Sequence, residues 1–234
     1  MSEKEYLDNY SIHNYDTPLM TVDTAIFSII NNQLNVLLVN RNEYPAKGQK
    51  ALPGGFIDIH KDKQLDDAAY RKLEEKTGIK SPYLEQIETI GSPSRDPRGW
   101  STTVLYFSLI NKIQDVPPKG SQDAFWAPIK NIPSLAFDHN HLIKLALARL
   151  HAKVTYTALP IELLPTEFTL TELQKVYEII LQRKLPTKSF RRRIEAANII
   201  ENTGRSKVSG KRTAQLFTSN GAGRHYIFSR AIAE

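Results

Sequence analysis

Apolar residues in the first half of the chain come in two rhythms. TVDTAIFSII (21–30) and LNVLLVN (34–40) are near-continuous apolar and β-branched runs, which predict buried strands, and Asn31-Asn32-Gln33 between them suits a hairpin connection. After the turn ALPGGF (51–56), Leu65, Ala68, Ala69 and Leu73 recur near helical spacing, so a helix is predicted from about Leu65 to Thr77, with Gly78 as its stop. STTVLYFSLI (101–110) predicts a further strand, and Phe125-Trp126-Ala127-Pro128 closes another short one. Leu142, Leu145, Ala146 and Leu150 share one face of a helix expected from Asn140 to about Lys153, with Asp138 placed to cap it.

The pattern then breaks at the proline-bearing TALPIELLPTEF (157–168), read as a linker between a domain of residues 1–157 and one of residues 158–234. Beyond it, Thr169 and Glu172 form a capping box ahead of a helix whose buried stripe is Leu170, Leu173, Val176, Tyr177, Ile180 and Leu181. Lys184-Leu185-Pro186 interrupts the chain. Thr187 is placed to cap a second helix, expected to reach about Glu201 with Phe190, Ile194 and Ala197 inward and Asn202-Thr203-Gly204 as its end. SKV (206–208) and TAQLFT (213–218) then flank Ser209-Gly210-Lys211-Arg212, which reads as a hairpin with a basic tip.

Composition narrows the possibilities. With 234 residues and 41% hydrophobic content, the chain has the length for two globular domains. No apolar run approaches the roughly 18 residues of a membrane span, and MSEKEYLDNY is too polar for a signal peptide, so a cytoplasmic location and no membrane partner are expected. The absence of cysteine excludes disulfides, thiolate-bound zinc and a thiol nucleophile. Charge is unevenly placed: residues 1–159 hold 18 basic and 18 acidic side chains, and the remaining residues 13 and 7, so the whole net charge of +6 sits in the last third. Ten of those basic residues fall between 183 and 212, opposed only by Glu195 and Glu201, a density that suits a polyanion.

Lys188, Arg191, Arg192 and Glu195 follow i, i+3, i+4 and i+7 spacing, so one outward face of the second helix is mostly cationic. A capped helix, a turn, a basic helix and a basic hairpin together resemble a winged helix-turn-helix domain. In that arrangement the second helix enters the major groove of double-stranded DNA and the wing touches phosphate. The contacts expected from this resemblance come from Lys188, Ser189, Arg191, Arg192 and Arg193 on the helix and Lys207, Lys211 and Arg212 on the wing.

The N-terminal domain carries a second resemblance. Gly54-Gly55-Phe56-Ile57-Asp58, followed by Arg71-Lys72-Leu73-Glu74-Glu75-Lys76-Thr77-Gly78-Ile79, is similar to the Nudix box, and LLVNR (37–41) with the order of elements after the box extends the likeness over roughly residues 18–153. A Nudix box implies an α/β/α sandwich with a mixed sheet, and active members carry three glutamates on one helix face for divalent cations. Positions 72, 75 and 76 are that face here, and two of them are Lys72 and Lys76, leaving Glu75. Ammonium groups repel a divalent cation, so no catalytic residue, metal site or required cofactor is assigned. The spacing from Gly55 to Arg71 is two residues longer than usual, and Asp62 could stand in for the missing intermediate glutamate only after a loop adjustment. Arg71, Lys72, Glu75 and Lys76 are assigned to a pocket wall that binds a diphosphate without metal, the alternative being a solvated, internally paired face.

Gly91-Ser92-Pro93-Ser94-Arg95-Asp96-Pro97-Arg98-Gly99-Trp100 is similar to the corresponding loop of ADP-ribose-binding Nudix proteins. The likeness implies that Arg95 and Arg98 contact the diphosphate or terminal ribose, with Arg41, Phe56 and Asp58 lining the site; the alternative is an Asp96–Arg98 surface turn. The cluster Asp138-His139-Asn140-His141 is assigned to a helix start rather than to a metal.

With both halves combined, the chain is identified as a member of the Nudix-related transcriptional regulators, bacterial repressors of NAD-biosynthesis genes. That family implies a homodimer on a palindromic operator, with ADP-ribose or a related NAD metabolite as effector. Two other classes stay open: an active ADP-ribose pyrophosphatase with an accessory domain, against which Lys72 and Lys76 argue, and an interaction module binding RNA or an acidic protein, against which the lack of aromatic stacking platforms argues.

Overall fold

The computed structural model describes residues 1–78, 80, 83–111, 124–209 and 212–232. A short helix that the pattern does not announce, α1 (Glu3–Asp8), opens the chain behind a reciprocal Ser2–Glu5 capping box. The predicted hairpin follows as β1 (Leu19–Ile30) and β2 (Gln33–Asn40), with Gln33 paired to Ile30 and so part of the strand. Asn31 and Asn32 alone make the turn at φ of 49° and 60°, the doubly left-handed geometry that asparagine tolerates and that matches strand twist.

Next come β3 (Lys50–Ala51), β4 (Gly54–Phe56), α2 (Leu65–Thr77), β5 (Glu85–Ser92), β6 (Ser101–Leu109), β7 (Phe125–Pro128) and α3 (His139–Tyr156). The sheet runs β3-β2-β1-β6-β5, with β4 also on β1 and β7 on β2, and it is mixed because β1 and β6 are parallel while the other pairs are antiparallel. Period-2 alternation sorts the central strands between two helices. Val22, Val104 and Tyr106 pack on Ala68 and Ala69 of α2, whereas Ala25, Phe27, Leu105 and Phe107 pack with Leu142, Ile143 and Ala146 of α3. Each fully buried Leu or Phe contributes about 1.5–3 kcal/mol. The sandwich is therefore α/β/α, and the near-continuous apolar runs exist because both faces of β1 and β6 are covered.

The C-terminal region is a winged helix: α4 (Leu170–Leu181), α5 (Thr187–Ala196), β8 (Ile200–Ser209) and β9 (Arg212–Ser219). The expected Thr169–Glu172 box is formed, with the Glu172 amide donating to Thr169 Oγ1 at 3.1 Å and the Thr169 amide donating to Glu172 Oε2 at 2.8 Å.

Four expectations are corrected. The second helix stops at Ala196, not Glu201, because Asn198 turns left-handed at φ 51° and buries Ile199; Gly204, read as the helix end, lies inside β8. Thr187 is the first residue of α5 and its cap position is Pro186, which makes no side-chain bond. The supposed linker is a packed 3-10 turn over Leu159–Leu163 whose Leu159, Ile161 and Leu163 join a core continuous across both regions. Asp138 occupies the N-cap position of α3 but makes no capping bond with its side chain, which is taken by Arg95.

Residues 220–232, to which the pattern assigns nothing, form a strap. Phe228 and Ile232 are buried, and their amides donate to Tyr156 O and Thr155 O at 2.8 Å each, satisfying carbonyls that the end of α3 leaves without helical partners. The strap's Ala231 carbonyl in turn accepts from Arg193 of α5, and its Arg224 pairs with Glu162 at 2.9 Å. Tyr177 of α4 donates to Thr157 O at 2.8 Å, so α3 is held to the winged helix from two sides.

Candidate functional site

A cleft of about 790 Å³, counting the open space at its mouth, lies at one end of the sheet, where β1, the β3–β4 turn, α2, the loop after β5 and the start of α3 converge. Two glycines make room for it. A Cβ on Gly54 would strike the Asp23 carboxylate and the Val22 carbonyl, and Gly55, at φ 152°, lets the Lys72 side chain lie across it, where a Cβ would come within 3.2 Å of Lys72 Cδ and Cε.

The α2 face splits. Lys72 and Lys76 line the cleft, whereas Glu75 turns outward to accept from Lys72 Nζ at 3.0 Å and from Arg71 Nη1 at 3.2 Å. Helical geometry accounts for this: at 100° per residue Lys76 stands 40° to one side of Lys72, while Glu75 stands 60° to the other, toward Arg71. Burial pushes the Glu75 carboxyl up, but hydrogen bonds from Lys72 and Arg71 outweigh it and hold it below the ordinary carboxylate range. Arg71 is not on the cleft wall. Its Nε donates to Asp62 Oδ1 at 2.7 Å and its Nη2 to Asp62 Oδ2 at 2.5 Å, which holds the Asp62 carboxyl at about 2. The longer box spacing thus delivers Asp62 to Arg71 directly. Asp58 is also off the wall: it pairs with Lys61 at 3.1 Å and accepts from the His60 amide.

The other predicted residues do meet. Arg95 is buried and grips Asp138 through two bonds of 3.1 Å, with Asp23 Oδ2 3.6 Å from its Nη2. Arg98 holds Asp96 at 2.7 Å and lies 4.8 Å over the Phe56 ring. The Arg98 hydrogen bonds pull the Asp96 carboxyl below its usual range. Arg41 lies 4.7 Å over Phe137 and donates from Nε to Pro45 O at 3.0 Å; burial, then the charge of Arg98, lower its affinity for its proton. Pattern reading missed Asp23 and His139 at the floor of the cleft. Asp23, a lone charge inside the apolar run of β1, was the available signal: it accepts from Thr103 Oγ1 at 2.8 Å. His139 accepts the Leu52 amide at Nδ1, 2.9 Å away, and presents Nε2 to Asp23 at 3.7 Å; burial lowers its pKa.

This donor set does not fit a divalent cation. Two ammonium groups hold the positions that oxygen ligands would take, Glu75 is engaged by two cations, and among the described residues no cluster of three metal-ligating side chains occurs. The cleft offers instead cations at separate points of its wall, suited to an anionic ligand.

On the winged helix, Lys188, Arg191 and Arg192 stand exposed on α5, and no acidic partner lies within ion-pair distance of them among the described residues; Arg191 donates to Thr171 Oγ1 at 3.1 Å. Ser189 is half-buried, and Arg193 is turned away to the strap. Lys207 on β8 is exposed but paired with Glu172 at 2.7 Å, and Arg205 is paired with Glu167. Lys211 lies outside the described residues; Arg212 opens β9. No helix is long and apolar enough to cross a membrane among the described residues.

Comparison with known proteins matches the same two regions. Residues 20–146 match the model of the NUDIX domain, and residues 160–218 match that of the NrtR DNA-binding winged helix domain. The chain is 52% identical to the ADPR responsive transcriptional repressor NtrR of Acinetobacter baylyi, over 92% of this chain and 88% of that protein. The crystal structure of Shewanella oneidensis NrtR complexed with a 27mer DNA superposes with a TM-score of 0.84 at 41% identity, covering 91% of this chain and 98% of the other. The NUDIX domain of the same protein complexed with ADP ribose matches at 43% identity with a TM-score of 0.60, covering 64% of this chain and 99% of that one. A Nudix fold with lysines in the box, joined to a winged helix with an exposed basic helix and matched almost end to end, places this chain in the NrtR family of Nudix-related transcriptional regulators.

Proposed function

We propose that the chain is an ADP-ribose-responsive repressor of NAD-biosynthesis genes that binds operator DNA as a homodimer in the cytoplasm. The observation that carries this reading is the pairing of Lys72 and Lys76 in the cleft with Glu75 turned out of it, a wall that can hold a diphosphate by direct charge-assisted hydrogen bonds without the metal needed to cleave it. Arg41, Phe56, Arg95 and Arg98 complete the ligand-binding set; Arg71 acts one layer back by orienting Glu75. Magnesium added with ADP-ribose is expected to release no AMP.

DNA is read by Lys188, Ser189, Arg191 and Arg192 of α5 in the major groove, with Lys207, Lys211 and Arg212 of the wing at phosphates. The half-buried Arg193 supports that helix through the strap. Occupancy of the cleft reaches DNA through α3, which begins at His139 in the cleft wall, next to the Asp138 held by Arg95, and ends at the strap that holds Arg193. A small shift of α3 in each protomer changes the separation of two recognition helices, on which a dimeric reader depends. A mobility-shift titration of operator DNA at fixed salt, with and without ADP-ribose, tests this. The reading expects the midpoint to move with ADP-ribose, and an unmoved midpoint rejects the sensor role.

A further inference from the structure

The wing holds its cations differently from the recognition helix. Lys188, Arg191 and Arg192 of α5 have no acidic partner among the described residues, whereas Arg205 and Lys207 of β8 are both taken. Arg205 Nη2 donates to Glu167 Oε1, and Lys207 Nζ donates to Glu172 Oε1 at 2.7 Å. Both carboxylates lie at the start of α4, and that start sits between the two DNA-reading elements. Its Thr171 accepts from Arg191 of α5 at 3.1 Å, and a groove lined by Thr171, Arg191, Thr213 and Gln215 runs from α5 to the wing.

Stability does not account for these pairs. The Arg205 and Lys207 side chains are 70% and 53% exposed, and ion pairs so exposed add little to folding. Glu172 caps α4 through Oε2, which accepts the Thr169 amide at 2.8 Å, a bond that glutamine at that position makes as well, so its charge serves Lys207. The backbone is also shaped for the other pair. β8 and β9 pair Asn202 with Phe217 and Ser206 with Gln215, which leaves residues 203–205 opposite Leu216 alone. Gly204 sets this bulge at φ 72°, with its amide donating to Asn202 Oδ1 at 2.8 Å. A bulge re-aims the side chain beside it; here that side chain is Arg205, and it meets Glu167.

We propose that Arg205 is a further phosphate-contacting residue of the wing, and that Glu167 and Glu172 withhold it and Lys207 from the duplex, so that a backbone phosphate reaches either cation only by displacing a carboxylate. The inference rests on the reading of α5 and the wing as the DNA-binding elements, and adds Arg205 and the two carboxylates to it. Phosphate contacts supply affinity without sequence information. Withholding two of them lowers the affinity for arbitrary DNA and leaves first contact to α5, whose cations are unpaired by acid.

Anisotropy titrations of the full chain with the operator and with a random-sequence duplex of equal length, over a series of salt concentrations, test it in the Glu167→Gln, Glu172→Gln double variant. That variant is expected to bind the random duplex at least fivefold more tightly than wild type. Its slope of log affinity against log salt should steepen by about 1 to 2, near 0.9 for each phosphate gained. In a chain already carrying Arg205→Ala and Lys207→Ala, the same two glutamines should change neither quantity, because no cation is left to release. An unchanged or weaker affinity of the double variant for the random duplex overturns the proposal. So does a gain of the same size in the chain without the two cations, which would mean that the carboxylates act on DNA directly. A wild-type chain that binds neither duplex overturns the DNA-binding reading, and the proposal with it.

Discussion

The cleft and the recognition helix are both rich in arginine and lysine, yet they use them in opposite ways. In the cleft Arg95 and Arg98 are already engaged, by Asp138 and Asp96, in bonds of 2.7–3.1 Å that fix their geometry before any ligand arrives. On α5, Lys188, Arg191 and Arg192 project into solvent with no acidic partner among the described residues. A ligand entering the cleft bonds to cations already tied to internal carboxylates, through the donors those carboxylates leave open, so its binding is coupled to protein contacts, and Arg95–Asp138 is a contact of α3. Free surface cations do no such coupling; they supply affinity that depends on salt through counterion release. The difference separates a site built to report occupancy from one built to hold a polyanion.

The largest effect expected from breaking this arrangement comes from the core beneath the basic face. Phe190, buried edge-on against Tyr177 at 5.3 Å, anchors α5, and Phe190→Ala should cost about 3–5 kcal/mol in denaturant unfolding while removing operator binding. Next is the cleft: Lys72→Glu with Lys76→Glu should weaken ADP-ribose at least tenfold by calorimetry and leave operator affinity without ligand unchanged. Arg192→Ala should weaken operator binding by about 1 kcal/mol and relax sequence preference at the base it reads, as measured by mobility shift over a set of operator variants.

The smallest effect is on pH dependence. Burial holds His139 below its ordinary value of 6.5, so the unfolded chain takes up a proton that the folded chain resists. This contribution to stability is complete above about pH 6.5 and is lost as pH falls below it. Unfolding midpoints at pH 8.0, 6.5 and 5.5 should show the loss, and His139→Gln, whose amide oxygen can still accept the Leu52 amide, should flatten it.

Legibility in the sequence followed locality. The β1–β2 hairpin, α2, β6, α3, α4 and the Thr169 box were readable because each is specified by its own periodicity and caps. The end of α5 was not, since Asn198 acts by a backbone reversal that apolar spacing does not display. Nor was the strap, whose role is to supply donors to carbonyls of α3 far away in sequence. At the cleft, Lys72, Lys76, Arg95 and Arg98 followed from motif resemblance, whereas Arg71 and Asp58 were misplaced because membership of a motif does not say which way a side chain turns. The 60° offset between Glu75 and Lys72 was present in the sequence and separates the outward side of α2 from the side that faces the cleft.

Communication between the cleft and the recognition helix is what joins the two regions. Operator titrations at one salt concentration, with and without saturating ADP-ribose, measure it most directly in the wild-type chain and in the Lys72→Glu, Lys76→Glu double variant. A shift of at least about fivefold is expected in the wild-type midpoint, within the usual range of coupling between sites, and none in the variant. Equal midpoints with and without ligand in the wild-type chain, or an undiminished shift in the variant, would contradict it.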